Sequence, residues 1–133
     1  DQFSSWSLGK QPDILPTLSI RTTQKPTAAF DLIRSLIESS SDQHVHVVGQ
    51  VGFGTVEAYW HCDISTVPQL IESAGAATRK AGGALMIERC PYELKTNLDV
   101  FGDIGPPLAV MRRMKQQFDP KGTLSPGRFA GSI

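Results

Sequence analysis

The stretch from His44 to Cys62 restricts the fold more than any other part of the chain. It holds two runs rich in β-branched and aromatic residues, His44–Val48 and Thr55–Cys62, divided by a turn region with Gly49, Gly52 and Gly54. Glycine tolerates positive φ, so these three residues let the chain reverse and leave its backbone open to close approach. Each run alternates, and successive side chains of a strand point to opposite faces. Val45 and Val47 fall opposite His44, His46 and Val48, while Val56, Ala58, Trp60 and Cys62 fall opposite Thr55, Glu57, Tyr59 and His61. One face of the hairpin therefore suits a core. The other, with His44, His46, Glu57, Tyr59 and His61, is too polar to be buried alone and too rich in rings to be idle, so function is expected there.

The flanking segments extend this hairpin into a recognisable unit. Leu15–Thr22 alternates, with Leu18 and Ile20 against Thr17, Ser19 and Arg21, and reads as a first strand. Pro26 suits the opening turn of a helix whose apolar positions Ala29, Phe30, Ile33, Leu36 and Ile37 recur at helical spacing, with the serine run 39–41 and Asp42 ending it. After the hairpin, Asp63, Ser65 and Thr66 offer capping oxygens, and Pro68 again suits a first turn. Val67, Leu70, Ile71, Ala74, Ala77 and Ala81 form the stripe of a second helix, stopped by Gly82-Gly83, and its alanines and Gly75 would let it lie close on a sheet. Ala84–Arg89 is a short last strand ended by Pro91.

Strand, helix, strand, strand, helix, strand predicts an α+β, ferredoxin-like βαββαβ unit: a four-stranded antiparallel sheet with both helices on one face. The first and third strands are then central, and the helix-free face carries the histidine-rich group. Residues 1–14 read as linker and 15–91 as this unit. Residues 92–133 make a C-terminal segment of uncertain structure over Tyr92–Val100, then a helix with Leu108, Met111, Met114 and Phe118, then an extended tail rich in Pro and Gly. Such a tail has no core of its own and must lie against something else.

The totals exclude several classes. A chain of 133 residues with 40% hydrophobic content suits one globular domain. Thirteen basic and thirteen acidic residues cancel, so no overall field draws the chain to nucleic acid or an anionic membrane. No apolar run approaches a membrane span or a signal-peptide core. Cys62 and Cys90 form no disulfide framework, lie on strands that should not be neighbours, and read as free thiols of a reducing compartment. The opening residues, without Met, suggest a piece of a longer protein.

The most specific signal is Met111-Arg-Arg-Met-Lys-Gln-Gln-Phe-Asp-Pro-Lys-Gly-Thr-Leu-Ser-Pro-Gly-Arg-Phe129. It resembles the C-terminal end of FAD-linked oxidases of the vanillyl-alcohol-oxidase type, in particular the glycolate oxidase and D-lactate dehydrogenase group. Glu88–Lys95 and Arg128–Gly131 resemble the small FAD-binding subunit of bacterial glycolate oxidase. The likeness is dense from Ile87 to Ile133 and weak before it, and Ser125 stands where that family usually has Asn. It implies a ferredoxin-like cap over a flavin, with a tail that returns to an FAD-binding domain not included in these residues. Ser125, Pro126, Gly127 and Arg128 would then contact FAD or its domain, and the chain alone would neither bind FAD nor turn over. The implied partners are that domain, other subunits of a glycolate-oxidase-like complex and a small 2-hydroxy acid. The implied location is cytoplasmic, or peripheral to the inner membrane through partner subunits. Many 2-hydroxyacid members carry G-H-x-G-D-G-N-x-H in the hairpin. Here Gly49, Gly52 and Gly54 keep the register, while Gln50, Phe53, Thr55 and Glu57 replace its His, Asp, Asn and His, so no metal is expected.

Other readings of the same residues remain. His44-x-His46 has a spacing compatible with a transition metal but no third ligand. Glu57, Tyr59 and His61 could serve acid–base chemistry, though a polar interface to the absent domain is preferred. Arg112, Arg113 and Lys115 could clamp a phosphate, though a solvated helix face is preferred. Gly52–Tyr59 partly mimics an RNA-binding signature, but Val51, Thr55 and Ala58 replace its basic and stacking residues and the net charge is zero, so no nucleic acid is expected. A stand-alone ferredoxin-like ligand-binding or assembly module is a further alternative, with homodimerisation through the open sheet face.

Overall fold

The computed structural model describes residues 15–40, 43–95, 98–102 and 104–133. Residues 1–14, expected to be linker, and the Ser41-Asp42 end of the serine run lie outside the described residues. Four strands, β1 (Leu18–Thr23), β2 (His44–Gln50), β3 (Thr55–His61) and β4 (Ala84–Arg89), form one antiparallel sheet in the order β2-β3-β1-β4. The helices α1 (Ala29–Glu38) and α2 (Val67–Lys80) cover one face, which is the α+β, ferredoxin-like arrangement expected from the order of elements.

The core follows the period-two pattern of the central strands. In β3, Val56, Ala58 and Trp60 are buried and the alternate residues are half-exposed. Leu18, Ile20 and Thr22 of β1 meet them from the neighbouring strand, with Leu18 opposite Trp60, Ile20 opposite Ala58 and Thr22 opposite Val56. From the helix layer come Ala29, Leu32 and Leu36 of α1 and Val67, Leu70, Ala74 and Thr78 of α2. The Trp60 indole N–H, which must find an acceptor when buried, donates to Ser40 Oγ at 2.7 Å, and that hydroxyl donates to the Leu36 carbonyl at 2.6 Å.

Several boundaries differ from expectation for identifiable reasons. The strand β1 begins at Leu18, since Leu15 and Pro16 precede the first residue that meets a partner strand. β2 runs on to Gln50, and β3 stops at His61, leaving Cys62 beyond its end. Each main helix opens with a 3-10 turn, Pro26–Ala28 before α1 and Ile64–Thr66 before α2. The capping oxygens do not cap: Thr66 Oγ1 donates back to the Asp63 carbonyl. Phe30 and Ile37, expected in the core stripe of α1, are exposed on its flank. Gly75 faces the Arg79 side chain of its own helix, not the sheet.

Of the three hairpin glycines, Gly54 alone adopts positive φ (66°), at the end of a 3-10 turn over Val51–Phe53. Gly49 lies within β2 beneath Ile33, and Gly52 has open space around it.

Beyond β4, a short helix α3 (Tyr92–Lys95) turns the chain, and residues 98–102 run back along the outer edge of β4, where the Ile87 N–H donates to the Val100 carbonyl at 2.7 Å. The helix α4 (Pro107–Phe118) follows and contributes no buried residue. The tail does find a partner within the chain, in α4 itself. Gly131 lies against Leu108, and Phe129 packs on Phe101 with ring centroids 5.4 Å apart. Both cysteines are free thiols, Cys62 half-buried and Cys90 buried, and burial pushes the Cys90 thiol up, partly offset by Lys95.

Candidate functional site

The helix-free face of the sheet is built from alternate residues of every strand. β2 supplies His44, His46 and Val48; β3 supplies Thr55, Glu57, Tyr59 and His61; β1 supplies Ser19 and Arg21; and β4 supplies Met86. The pairing register places His44 opposite His61 and His46 opposite Tyr59, and the His46 and His61 rings meet edge to face with centroids 6.2 Å apart. The structure thus brings the five predicted residues His44, His46, Glu57, Tyr59 and His61 onto one surface.

Two further residues organise that surface. Arg21 lies opposite Glu57 in the register, and its Nε donates to Glu57 Oε1 at 3.0 Å. Its Nη2 reaches Glu57 Oε1 at 3.0 Å and Glu88 Oε1 at 2.9 Å. The second oxygen of Glu57 accepts a 2.5 Å hydrogen bond from the Tyr59 hydroxyl. The result is a chain Tyr59–Glu57–Arg21–Glu88 across β3, β1 and β4. With two carboxylates and one guanidinium, its formal charge is −1. Exposed ion pairs contribute only about 0–1 kcal/mol each, so their effect is to fix orientation.

The consequence for Tyr59 is chemical. The bond to Glu57, then burial, then the Glu57 and Glu88 charges, raise its pKa to about 12, with Arg21 opposing. A hydrogen bond donated to a carboxylate holds the neutral phenol in place. Tyr59 is therefore a donor at neutral pH, and the Glu57 oxygens are already engaged. In a Tyr92→Phe background, which leaves Tyr59 as the sole remaining tyrosine of two, Glu57→Gln should bring the ultraviolet titration midpoint down from about 12 towards 10.0. A midpoint that stays put would remove Glu57 as the cause. Because the folded-state value is raised, the stability linked to this phenol is complete below pH 10.0 and is lost as pH rises towards about 12.

The tail residues Ser125, Pro126, Gly127 and Arg128 are exposed and lie elsewhere. The α4 and tail segment joins the rest beside β4, while His44 and His46 sit on β2 at the opposite edge, about 14 Å across three strand spacings. Asp119 fixes the tail. Its buried carboxylate accepts from Lys115 Nζ at 2.8 Å, from the N–H groups of Leu124 and Thr123 at 2.9 Å each, and from Thr123 Oγ1 at 3.1 Å. Lys115 first, then these backbone donors, hold that carboxyl well below the usual carboxylate range. Lys115 also donates to the Leu124 carbonyl, so it is an internal strut. Arg112 and Arg113 are exposed. Ser125 takes φ 46°, a left-handed conformation uncommon for a residue with a Cβ.

Two shallow depressions flank this tail. An apolar one of about 320 Å³ lies among Met111, Met114, Leu124, Ser125 and Phe129. A second, of about 350 Å³, is bounded by Leu98–Phe101, Gly127, Arg128 and Phe129. Each could accept one end of a larger ligand. Arg128 is the one cation among the residues bounding the second depression, which also include the acidic Asp99. Among the described residues, no group of three or more His, Cys, Asp or Glu could hold a metal ion, and no helix is long and apolar enough to cross a membrane.

Arg21 was within reach of sequence reasoning. Its alternation against Leu18 and Ile20 puts it on the helix-free face of a central strand, beside Glu57. Asp119 was signalled only by Asp-Pro followed by Gly, a turn-forming combination. No protein family, characterised protein or solved structure matches the chain.

Proposed function

We propose that this chain is the cap and returning tail of an FAD-dependent oxidase or dehydrogenase that acts on a small 2-hydroxy acid, with glycolate as the leading candidate. The observation that carries this reading is the uncovered sheet face with its ordered polar plate. Tyr59, Glu57, Arg21 and Glu88 satisfy one another there while remaining partly exposed, as suits a preset interface rather than a core. A second apolar surface accompanies it. Val110, Met114 and Phe118, spaced four apart on one face of α4, are exposed together with Leu124 and Phe129. Exposed apolar patches of this kind mark interaction sites.

In this reading a flavin-binding module roofs the sheet, with His46, His61 and Tyr59 closest to the ring system and the Ser125–Arg128 turn touching the cofactor domain. FAD would supply the hydride chemistry when bound. The cap would exclude water and orient the substrate through its histidines, with the Tyr59 oxygen, whose proton is given to Glu57, accepting from the substrate hydroxyl. Glu57 and Glu88 make this face a poor sole anchor for an anionic acid, so the substrate carboxylate would find its cation on the flavin module or a partner subunit. The free thiols fit a reducing, cytoplasmic setting, with membrane association only through partner subunits.

The test is to join the chain to its natural upstream region, or to co-express it with candidate flavin subunits, and record the flavin spectrum and glycolate oxidation. Failure of the longer assembly to bind FAD would count decisively against the reading. A stand-alone binding module is the second reading, favoured if the isolated chain binds a small ligand on the open face. RNA binding has little support: Ala58 is buried on the helix side, and Arg21 is engaged by two carboxylates.

A further inference from the structure

The two edges of the sheet are treated differently. The outer edge of β4 is covered by residues 98–102 through the Ile87–Val100 backbone bond. The outer edge of β2 has no partner strand among the described residues. β2 is seven residues long, pairs with β3 in continuous register without a bulge, and contains no Lys, Arg, Asp, Glu or Pro. Those are the devices that ordinarily prevent an edge from adding another strand. Its helix-side neighbour is equally unprotected. Phe30 is 68% exposed and Ile37 51% exposed, and with Ile33 they form a stripe at helical spacing on the flank of α1 beside β2.

We propose that the outer edge of β2 is the seat of a second copy of this chain, added antiparallel so that two sheets become one and two α1 helices pack side by side. The geometry is self-complementary. A Cβ on Gly49 would stand 2.8 Å from Ile33 Cδ1, so α1 crosses β2 with Ile33 above Gly49. α1 runs antiparallel to β2, because β1 and β2 both run opposite to β3 and are therefore parallel to each other. A two-fold axis through Val47 lies two residues nearer the start of β2, about 7 Å along the strand. That distance corresponds to about four residues towards the C-terminus of α1, near Ile37. Ile37 of each copy then lies close to the axis and Phe30 farther out. An antiparallel pair of helices centred there sets Arg34 of one copy beside Glu38 of the other, so the charged rim complements itself. The assembly leaves both open faces, and hence both polar plates, on the same side of one continuous sheet. It is also distinct from pairing through the open face, and it stands or falls independently of the flavin reading.

Sedimentation of the 133-residue chain through the micromolar range, with amide exchange on β2, tests this. The wild-type chain should be dimeric, with β2 amides that gain protection as concentration rises. Phe30→Lys/Ile37→Lys should raise the dissociation constant at least about tenfold. Because both residues are exposed, the circular dichroism spectrum should be unchanged, and so should the urea midpoint at concentrations where both proteins are monomeric; at dimeric concentrations the wild-type midpoint should be the higher of the two. Val48→Lys, which charges the edge strand itself, should act in the same direction. A wild-type chain that sediments as a monomer at every concentration overturns the proposal. So does a dimer that the double variant leaves intact.

Discussion

Gly54→Ala should destabilise the protein by about 3 kcal/mol, a large part of the 5–15 kcal/mol that holds a domain together. The site combines two demands that alanine cannot meet. Its φ of 66° lies in the left-handed region, which costs a residue with a Cβ about 1–2 kcal/mol. An added Cβ would also stand impossibly close to the Gln24 carbonyl oxygen, so the hairpin and the end of β1 must move apart. Moving them stretches the 2.9 Å bond from Gln24 N–H to the Gly54 carbonyl, a further loss of about 1 kcal/mol. The hairpin that delivers Glu57, Tyr59 and His61 would then lose its fixed start. Gly52→Ala is the matched control, since nothing lies near its Cβ position; it should change stability by less than about 0.5 kcal/mol. Urea melts of the two variants decide the matter, and equal midpoints would refute the assignment of the turn to Gly54.

Trp60→Ala should cost about 4 kcal/mol. Trp60 is 1% exposed, sits on a central strand, and lies between Leu18 of β1 and Val45 of β2 in the pairing register. Its removal empties the middle of the core, and the surrounding strands cannot collapse into the space without breaking ladder bonds. Trp60→Phe should cost roughly 2 kcal/mol, because it restores most of the ring but leaves Ser40 Oγ without its donor. Denaturant unfolding followed by circular dichroism measures both. A loss below about 1 kcal/mol for the alanine variant would mean that the core is not centred on this residue.

The sheet and its helices could be read from the chain because alternation and helical spacing record burial directly. Val56, Ala58 and Trp60 against Glu57, Tyr59 and His61 fixed the orientation of β3, and the glycine-rich turn implied its pairing with β2. Edges were harder to read. Phe30 and Ile37 satisfy the helical period of a core stripe, yet they lie on the flank of a helix over an edge strand, a distinction that periodicity cannot make. The polar plate was half visible, since Glu57 and Tyr59 were identified from their strand alone. Arg21 and Glu88 join them only through strand order and register, which bring Arg21 to Glu57, 36 positions away, and to Glu88, far beyond it in the sequence. Asp119 was missed because its partners Thr123 and Leu124 lie in an irregular turn, where no period exists to follow.

The strand order has one more consequence. The histidines on β2 and the Ser125–Arg128 turn beyond β4 are held at opposite borders of a rigid four-stranded sheet. A covering module that touched both would be gripped bivalently, each contact weak by itself and raising the effective concentration of the other. Severing one grip would then loosen the module without releasing it.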